Sequence, residues 1–201
     1  MNLATHYQQL LEQYGDSPEA SQWSSRESQE KRFEILTQIG DLQGCDILDF
    51  GCGTGHLATY LAQQGVDIQY TGVDIVDELL TVGQQKYPHC KFCKLEEILD
   101  HQFDYVMISG VFNNKIEDNQ KFYQDTLKQC FSIARKGVAF NLLSHYVEYY
   151  NDELFYERPE SVFQYIKENI SPYVTIRHDY QVKSGVIPFE FTGYIYRVEE
   201  N

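Results

Sequence analysis

Short apolar runs alternate with amphipathic segments along most of the chain. Five of these runs have the length of strands, and their apolar character is typical of parallel strands buried on both faces. They cover residues 47–50, 69–74, 91–94, 103–109 and 137–143. Segments with helical spacing lie between or after them, at 57–65, 77–86, 119–135 and 160–169. The pattern predicts an α/β fold built by alternation of strand and helix.

The last 30 residues have a different pattern. Two further strand-like runs, 173–179 and 188–198, are joined by a loop that contains Gly185 and has no helical segment. Parallel neighbours need a long crossover connection, so we expect this pair to be antiparallel.

The first 40 residues precede the first predicted strand and show helical spacing. A first helix is indicated by apolar and aromatic side chains three and four residues apart, at Tyr7, Leu10, Leu11 and Tyr14. Ser24 or Ser25 is suited to cap a second helix, which Gly40 would end. We expect residues 1–40 to form a helical preface to a single domain over residues 1–201.

Composition and charge limit the classes of partner that the protein is expected to bind. The chain has 201 residues, a net charge of −14 and an isoelectric point near 4.7. Phosphate binding needs a basic face, so nucleic acid and anionic membranes are disfavoured as partners and a small neutral or cationic molecule is favoured. No apolar run reaches the ~18 residues of a membrane span. Five scattered cysteines suit a reducing, cytoplasmic setting, and we expect no metal site.

A glycine turn follows the first predicted strand directly. Asp49 lies in that strand, and Gly51, Gly53 and Gly55 alternate after it before a helical segment begins. Glycine takes dihedrals that a Cβ forbids and lets the backbone approach a ligand closely. A dinucleotide site would need a small residue at His56, because its fingerprint is G-x-G-x-x-G. The observed spacing, D-x-G-x-G-x-G, therefore indicates a different nucleotide-like ligand.

A second acidic residue supports a nucleoside ligand. Asp74 ends the second predicted strand, 19 residues after Gly55. A carboxylate at this distance from a glycine turn can accept hydrogen bonds from both hydroxyls of a ribose.

Together these motifs resemble those of class I S-adenosylmethionine (SAM)-dependent methyltransferases. The resemblance covers roughly residues 35–197 and implies a Rossmann-like, doubly wound α/β sheet of seven strands, six parallel and one antiparallel. It implies SAM as cofactor and S-adenosylhomocysteine (SAH) as product. It also implies a cofactor site with the methionine end at Asp49, Gly51, Gly53, Gly55, Ser109 and Gly110, the ribose at Asp74, and the adenine at Ile75 and Glu96.

The acceptor is expected to be small. The turn after the fourth strand reads Ser109-Gly110-Val111-Phe112-Asn113, which lacks the N/D-P-P-Y-like motif of enzymes that methylate bases or glutamine side chains. Ser109 and Leu143-Ser144-His145 stand where metal-dependent catechol-type enzymes place acids. The resemblance therefore implies metal-free transfer to an oxygen or nitrogen of a small molecule.

Three residues near predicted strand ends are candidates for the chemistry. Asn113 follows the fourth strand, His145 the fifth and His178 the sixth. An imidazole can take a proton at neutral pH, so His145 is the leading candidate for proton acceptor or substrate orienter. The alternatives are a plain turn residue for Asn113, an exposed strand-end residue for His178, and for His145 a residue that only bonds the backbone at the end of the strand.

Two residues of the preface are expected to close over the cofactor. Trp23 is the only tryptophan, and Arg32 is suited to grip the methionine carboxylate with two hydrogen bonds. The alternative for Arg32 is a solvated position on a helix. Two other functions also stay open: a different chemistry on the same fold, such as an oxidoreductase or another alkyl transfer, and a SAM-binding module without turnover.

Overall fold

The computed structural model describes residues 2–23 and 25–198, which form one seven-stranded sheet with helices on both faces. The helices are α1 (Leu3–Tyr14), α2 (Arg26–Leu36), α3 (His56–Gln63), α4 (Asp77–Lys86), α5 (Asn119–Ser132) and α6 (Pro159–Asn169). The strands are β1 (Asp46–Phe50), β2 (Gln69–Val73), β3 (Lys91–Cys93), β4 (Phe103–Ile108), β5 (Ala134–Leu143), β6 (Val174–Arg177) and β7 (Glu190–Tyr196).

The strand order is β3-β2-β1-β4-β5-β7-β6. β7 pairs antiparallel with both β5 and β6, and the other neighbours are parallel. The sheet therefore has six parallel strands and one antiparallel strand, which confirms the predicted Rossmann-like fold class. The order reverses between β1 and β4, so the carboxyl ends of these two strands open a crevice, the usual ligand site of such sheets.

Alternating side chains on the central strands divide the core into two layers. Ile47 and Met107 face a layer with α2 and α3, whereas Leu48 and Val106 face a layer with α5 and α6. All four side chains are fully buried. Burial of successive residues on opposite faces explains why these strands appear as continuous apolar runs in the sequence.

Several element boundaries differ from the sequence-based ranges. Ser25 caps α2 by accepting a hydrogen bond from the Ser28 amide at 3.1 Å, and Ser24 lies outside the described residues. α2 ends at Leu36 and passes into a 3₁₀ turn, Thr37–Ile39, before Gly40. β5 begins at Ala134, three residues earlier than expected, because Phe103 already pairs with Ala134 there.

α1 belongs to the preface and lies against the sheet's glycine turn rather than in the core. None of its residues is buried, and polar contacts hold it in place. Gln8 donates to Glu78 of α4 at 2.9 Å. Asp16, just beyond α1, accepts from Thr54 of the glycine turn and from Lys86 of α4, each at 2.6 Å.

No helix in the described ranges is both long enough and apolar enough to cross a bilayer.

Candidate active site

The glycine turn after β1 is shaped by three left-handed residues. Gly51, Gly53 and Gly55 have φ values of +75°, +55° and +84°. A Cβ on Gly51 would lie 2.4 Å from Val111, and one on Gly55 would lie 2.5 Å from the ring of Phe92. Both the dihedrals and the close approaches therefore require glycine.

Asp74 fastens this turn to the end of β2. Its carboxylate accepts from the amide of Gly53 at 2.9 Å and from the amide of Val76 at 3.0 Å. Burial raises the pKa of Asp74, and these backbone donors oppose the rise. The carboxylate is half-buried at the crevice, and the two hydrogen bonds fix its orientation.

Asp49 lies beneath the turn, 3% exposed. The hydroxyl of Tyr70 donates to its carboxylate at 2.7 Å. Burial raises the pKa of Asp49 to about 7; the Tyr70 hydrogen bond lowers it and the charge of Asp74 raises it further. The site therefore holds a carboxyl group that changes charge near neutral pH.

The crevice contains a cavity of about 270 Å³, here called the first cavity. Nine of the eleven residues predicted for the cofactor line it: Trp23, Asp49, Gly51, Gly53, Asp74, Ile75, Glu96, Ser109 and Gly110. Gly55 instead packs on Phe92 at the start of α3. Four residues of the preface also line the cavity, and the sequence pattern did not single them out for this role: Leu3, Tyr7, Gln29 and Phe33.

A second cavity, of about 640 Å³, adjoins the first. Tyr7, Trp23 and Gly110 line both cavities, so these three residues form the boundary between them. Gly110 has φ of +73°, and a Cβ there would lie 2.5 Å from the ring of Trp23. The tryptophan thus covers the turn after β4 at van der Waals distance.

Arg32 lies in the wall of the second cavity, and within the described residues it is not part of the first. It is 5% exposed, so the alternative of a solvated helix residue is wrong. Its Nε donates to Glu190 at 2.7 Å, Nη1 donates to Ser28, and the guanidinium stacks on Trp23 at 4.2 Å. A methionine carboxylate would have to compete with Glu190 for this group.

The three residues predicted for the chemistry lie in different places. Asn113 lines the second cavity. His145 and His178 are absent from the lining of both cavities as the described residues define them. Arg158 donates to Nε2 of His145 at 3.1 Å, and His178 bonds the carbonyl of Pro188 at 3.1 Å.

These contacts favour structural roles for the two histidines. A guanidinium can only donate, so Nε2 of His145 accepts the hydrogen bond from Arg158. The ring proton of His145 is therefore on Nδ1, which lies 3.3 Å from the hydroxyl of Tyr150. The chain leaves the sheet edge at Ser144, and the His145 amide donates to Glu157. This turns the imidazole outward, which its position after β5 in the sequence did not indicate.

Comparison with known proteins identifies the family. A family model described as a methyltransferase domain matches residues 41–185. The chain belongs to this methyltransferase family. It is also 30% identical over 155 residues to "Putative methyltransferase Rv1506c" of Mycobacterium tuberculosis, with 73% of this chain and 89% of the relative covered. The enzyme is therefore a SAM-dependent methyltransferase, as the sequence motifs implied.

A further sequence relative and two solved structures are also similar to this enzyme. The enzyme is 30% identical over 111 residues to a ubiquinone biosynthesis O-methyltransferase of Rickettsia bellii, covering 53% of this chain and 45% of that protein. Magnesium protoporphyrin IX methyltransferase from Synechocystis, solved with bound SAM, has a TM-score of 0.62 at 17% identity, over 86% of this chain and 80% of that chain. A SAM-dependent methyltransferase from Archaeoglobus fulgidus has a TM-score of 0.64 at 16% identity, over 96% and 100%.

Asp49→Asn should change how stability depends on pH. The folded-state pKa of about 7 lies above the ordinary value of 3.8, so between these values the native protein holds a proton that the unfolded chain has released. Stability of the wild type should therefore fall as pH rises through this window. Between about pH 5 and pH 8, the free energy of unfolding of the wild type should fall by on the order of 2–3 kcal/mol relative to that of the variant.

Urea unfolding of the two ligand-free proteins across that range measures the difference. The asparagine keeps an oxygen that can accept from Tyr70, so the variant is a close steric match. Free energies of unfolding that run parallel for both proteins would contradict the raised pKa.

Proposed function

We propose that this enzyme transfers the methyl group of SAM to an oxygen or nitrogen of a small molecule held in the second cavity, without a metal ion. The observation that carries the proposal is the shared boundary of the two cavities at Tyr7, Trp23 and Gly110. Methyl transfer is an in-line displacement that needs the nucleophile within about 3–3.5 Å of the methyl carbon. Donor and acceptor cavities must therefore meet, and these two do.

The first cavity fits the cofactor in the chemistry of its donors and acceptors. We assign Asp74 to the ribose hydroxyls, because its carboxylate is held toward the cavity by the glycine turn. Ile75, 56% exposed, offers an apolar surface for adenine beside Glu96. When bound, SAM supplies an activated methyl group on a sulfonium.

The methionine end of the cofactor is assigned to the opposite part of the first cavity. Ser109 lines this part, and its hydroxyl oxygen is buried without a hydrogen-bond partner in the described residues. Buried polar atoms are rarely left unpaired, so this oxygen is suited to a polar group of a ligand. Asp49 and the backbone at Gly51, Gly53 and Gly110 complete the surroundings.

The second cavity suits a small acceptor with polar groups and a flat apolar part. Gln22, Asn113 and Asn114 line it, together with Trp23 and Phe189. The net charge of −14 disfavours an anionic acceptor. We assign Asn113 to orient the acceptor. The relative that is an O-methyltransferase supports an oxygen nucleophile.

A mass-spectrometric screen tests the function directly. Purified enzyme with SAM and a library of small phenols, polyols and amines should yield at least one product heavier by a single methylene, together with an equal amount of SAH. Adding a chelator should leave the yield unchanged. SAH formed without any methylated acceptor, or activity that is lost with the chelator, would contradict the proposal.

Asp74→Ala should weaken SAH binding by about 2–4 kcal/mol, because it removes charge-assisted hydrogen bonds to two ribose hydroxyls. Isothermal calorimetry gives the affinity. Asp100→Ala is the control, since Asp100 is an exposed acid that lines neither of the two cavities in the described part of the chain. Equal affinity of the Asp74 variant and the wild type would exclude the assignment.

We also propose that the preface, residues 1–40, contains a lid formed by α1 and the turn after it, while α2 stays packed in the core through Phe33 and Leu36. Leu3 and Tyr7 of α1 line the first cavity, although the helix has no buried residue of its own. Gln8 on the helix bonds Glu78 of α4, Tyr7 accepts a hydrogen bond from Asn114, and Asp16 just beyond the helix accepts one from Thr54 of the glycine turn. Such a helix opens at low cost, and a ligand beneath it adds apolar contacts in the closed state.

Limited proteolysis reports on the lid. SAH should slow cleavage within residues 1–40 several-fold, and Asp16→Ala should reduce that protection because it removes the contacts to Thr54 and Lys86. Glu12→Ala, at an exposed acid of α1, serves as the control. Cleavage at the same rate with and without SAH would show that the preface does not respond to the cofactor.

A further inference from the structure

His6 is a histidine of the preface that lies in the wall of the second cavity. It precedes Tyr7, which forms part of the boundary between the two cavities, and the two rings meet edge to face at 5.3 Å. We propose that His6 is a catalytic residue, the proton acceptor for a hydroxyl on a flat, ring-bearing acceptor. The proposal rests on the proposed function and deepens it, because it names the nucleophile.

The hydrogen bonding of His6 points to a missing partner. Its Nε2 is shielded from solvent and has no hydrogen-bond partner within residues 2–23 and 25–198. His145 and His178 both have partners for their ring nitrogens. A buried polar atom without a partner is costly to the fold, and such atoms recur at catalytic sites. Because His6 lines the second cavity, we assign the role of this partner to a hydroxyl of the acceptor bound there.

Other titratable groups around this cavity are less suited to the role. The hydroxyl of Tyr7 accepts from Asn114 at 2.8 Å, and burial raises the pKa of Tyr7 to about 12, so it stays protonated. Arg32 is held by Glu190, and its guanidinium is already protonated and cannot accept a further proton. The remaining charged groups come from the 144–158 connection and the β6–β7 loop and are exposed: Glu148, Glu153 and Lys183.

The walls of the cavity argue for a ring in the acceptor. Trp23 and Phe189 contribute rings to it, and Tyr149 and Tyr156 contribute two more from the 144–158 connection. Flat aromatic walls favour flat ligands through offset and edge-to-face packing. A hydroxyl on such a ring carries a proton at neutral pH, so its methylation benefits from a base.

The chemical step balances with His6 as the base. The acceptor oxygen forms a bond to the methyl carbon while the carbon–sulfur bond breaks, and the sulfur keeps that electron pair as a neutral thioether. The hydroxyl proton passes to the imidazole of His6. The positive charge of the sulfonium is thereby replaced by the positive charge of an imidazolium.

Two probe acceptors separate a base from a structural residue. At about pH 9, 4-nitrophenol is already ionised, whereas 4-methylphenol, like a tyrosine side chain, is not. His6→Gln should lower kcat for 4-methylphenol about 100-fold and change kcat for 4-nitrophenol by less than about threefold, since only the first needs its proton removed. His89→Gln, at an exposed histidine of the α4–β3 turn, should leave both rates unchanged.

A binding measurement gives a readout that does not depend on turnover. In protein labelled with ¹⁵N-histidine, titration with 4-methylphenol should shift the ring-nitrogen signals of His6 to saturation, with and without SAH. Toluene, which has nearly the same shape but no hydroxyl, should not do so. Signals that respond equally to both compounds, or to neither, would overturn the contact.

The rates measured on the two phenols test the role of His6 independently of the binding measurement. Equal loss of rate on both probes, or no loss on either, would overturn the role of His6 while leaving methyl transfer in place. Failure of the wild-type enzyme to methylate either phenol would overturn the ring-hydroxyl acceptor class. Failure to bind SAH in calorimetry would instead overturn the proposed function.

Discussion

The buried ion pair between Arg32 and Glu190 is the interaction on which the arrangement of the site depends. It joins α2 of the preface to β7 at 2.7 Å, with both side chains at most 5% exposed. Its partners continue into the site. Glu190 also bonds Asn141, whose side-chain oxygen accepts from the amide of Gly110 at 2.7 Å, while Arg32 stacks on Trp23. One polar network thus fixes two of the three residues at the boundary of the cavities.

Such a pair is costly to bury and stable only when its remaining hydrogen bonds are satisfied. Ser28 accepts from Arg32, and Tyr180 donates to Glu190 at 3.1 Å, so both partners are well supplied. We attribute the burial of this ion pair to its role in positioning the site. The turn after β4 and the tryptophan that covers it must keep one geometry for an in-line transfer. The polar contacts of Gln8 on α1 and of Asp16 just beyond it, by contrast, lie near the surface and can open for entry of a ligand.

The sequence predicted the sheet and most of the first cavity because those features obey local rules. Glycines at 51, 53 and 55 and the acid at Asp74 are required by backbone dihedrals and by strand-end geometry, which recur at fixed spacing. The antiparallel pairing of β6 with β7 follows from their helix-free connection, and the sheet of six parallel strands and one antiparallel strand was implied by the family resemblance. None of this needs knowledge of contacts between distant residues.

The rest of the site depends on contacts that local patterns do not encode. Arg32 meets Glu190 across 158 positions of the chain, so an arginine suited to a ligand carboxylate was indistinguishable from one that binds a protein carboxylate. His6 sits on a helix whose apolar spacing indicates only packing. His145 lies at a strand end, where the course of the following segment, not the strand, decides its direction.

The position of the cofactor's sulfur in a crystal structure of the SAH complex tests the central claim most directly. We expect SAH in the first cavity, with its ribose at Asp74 and its sulfur at the boundary formed by Tyr7, Trp23 and Gly110, facing the second cavity. A sulfur that points away from this boundary, or SAH bound elsewhere on the molecule, would contradict the assignment of the two cavities to donor and acceptor.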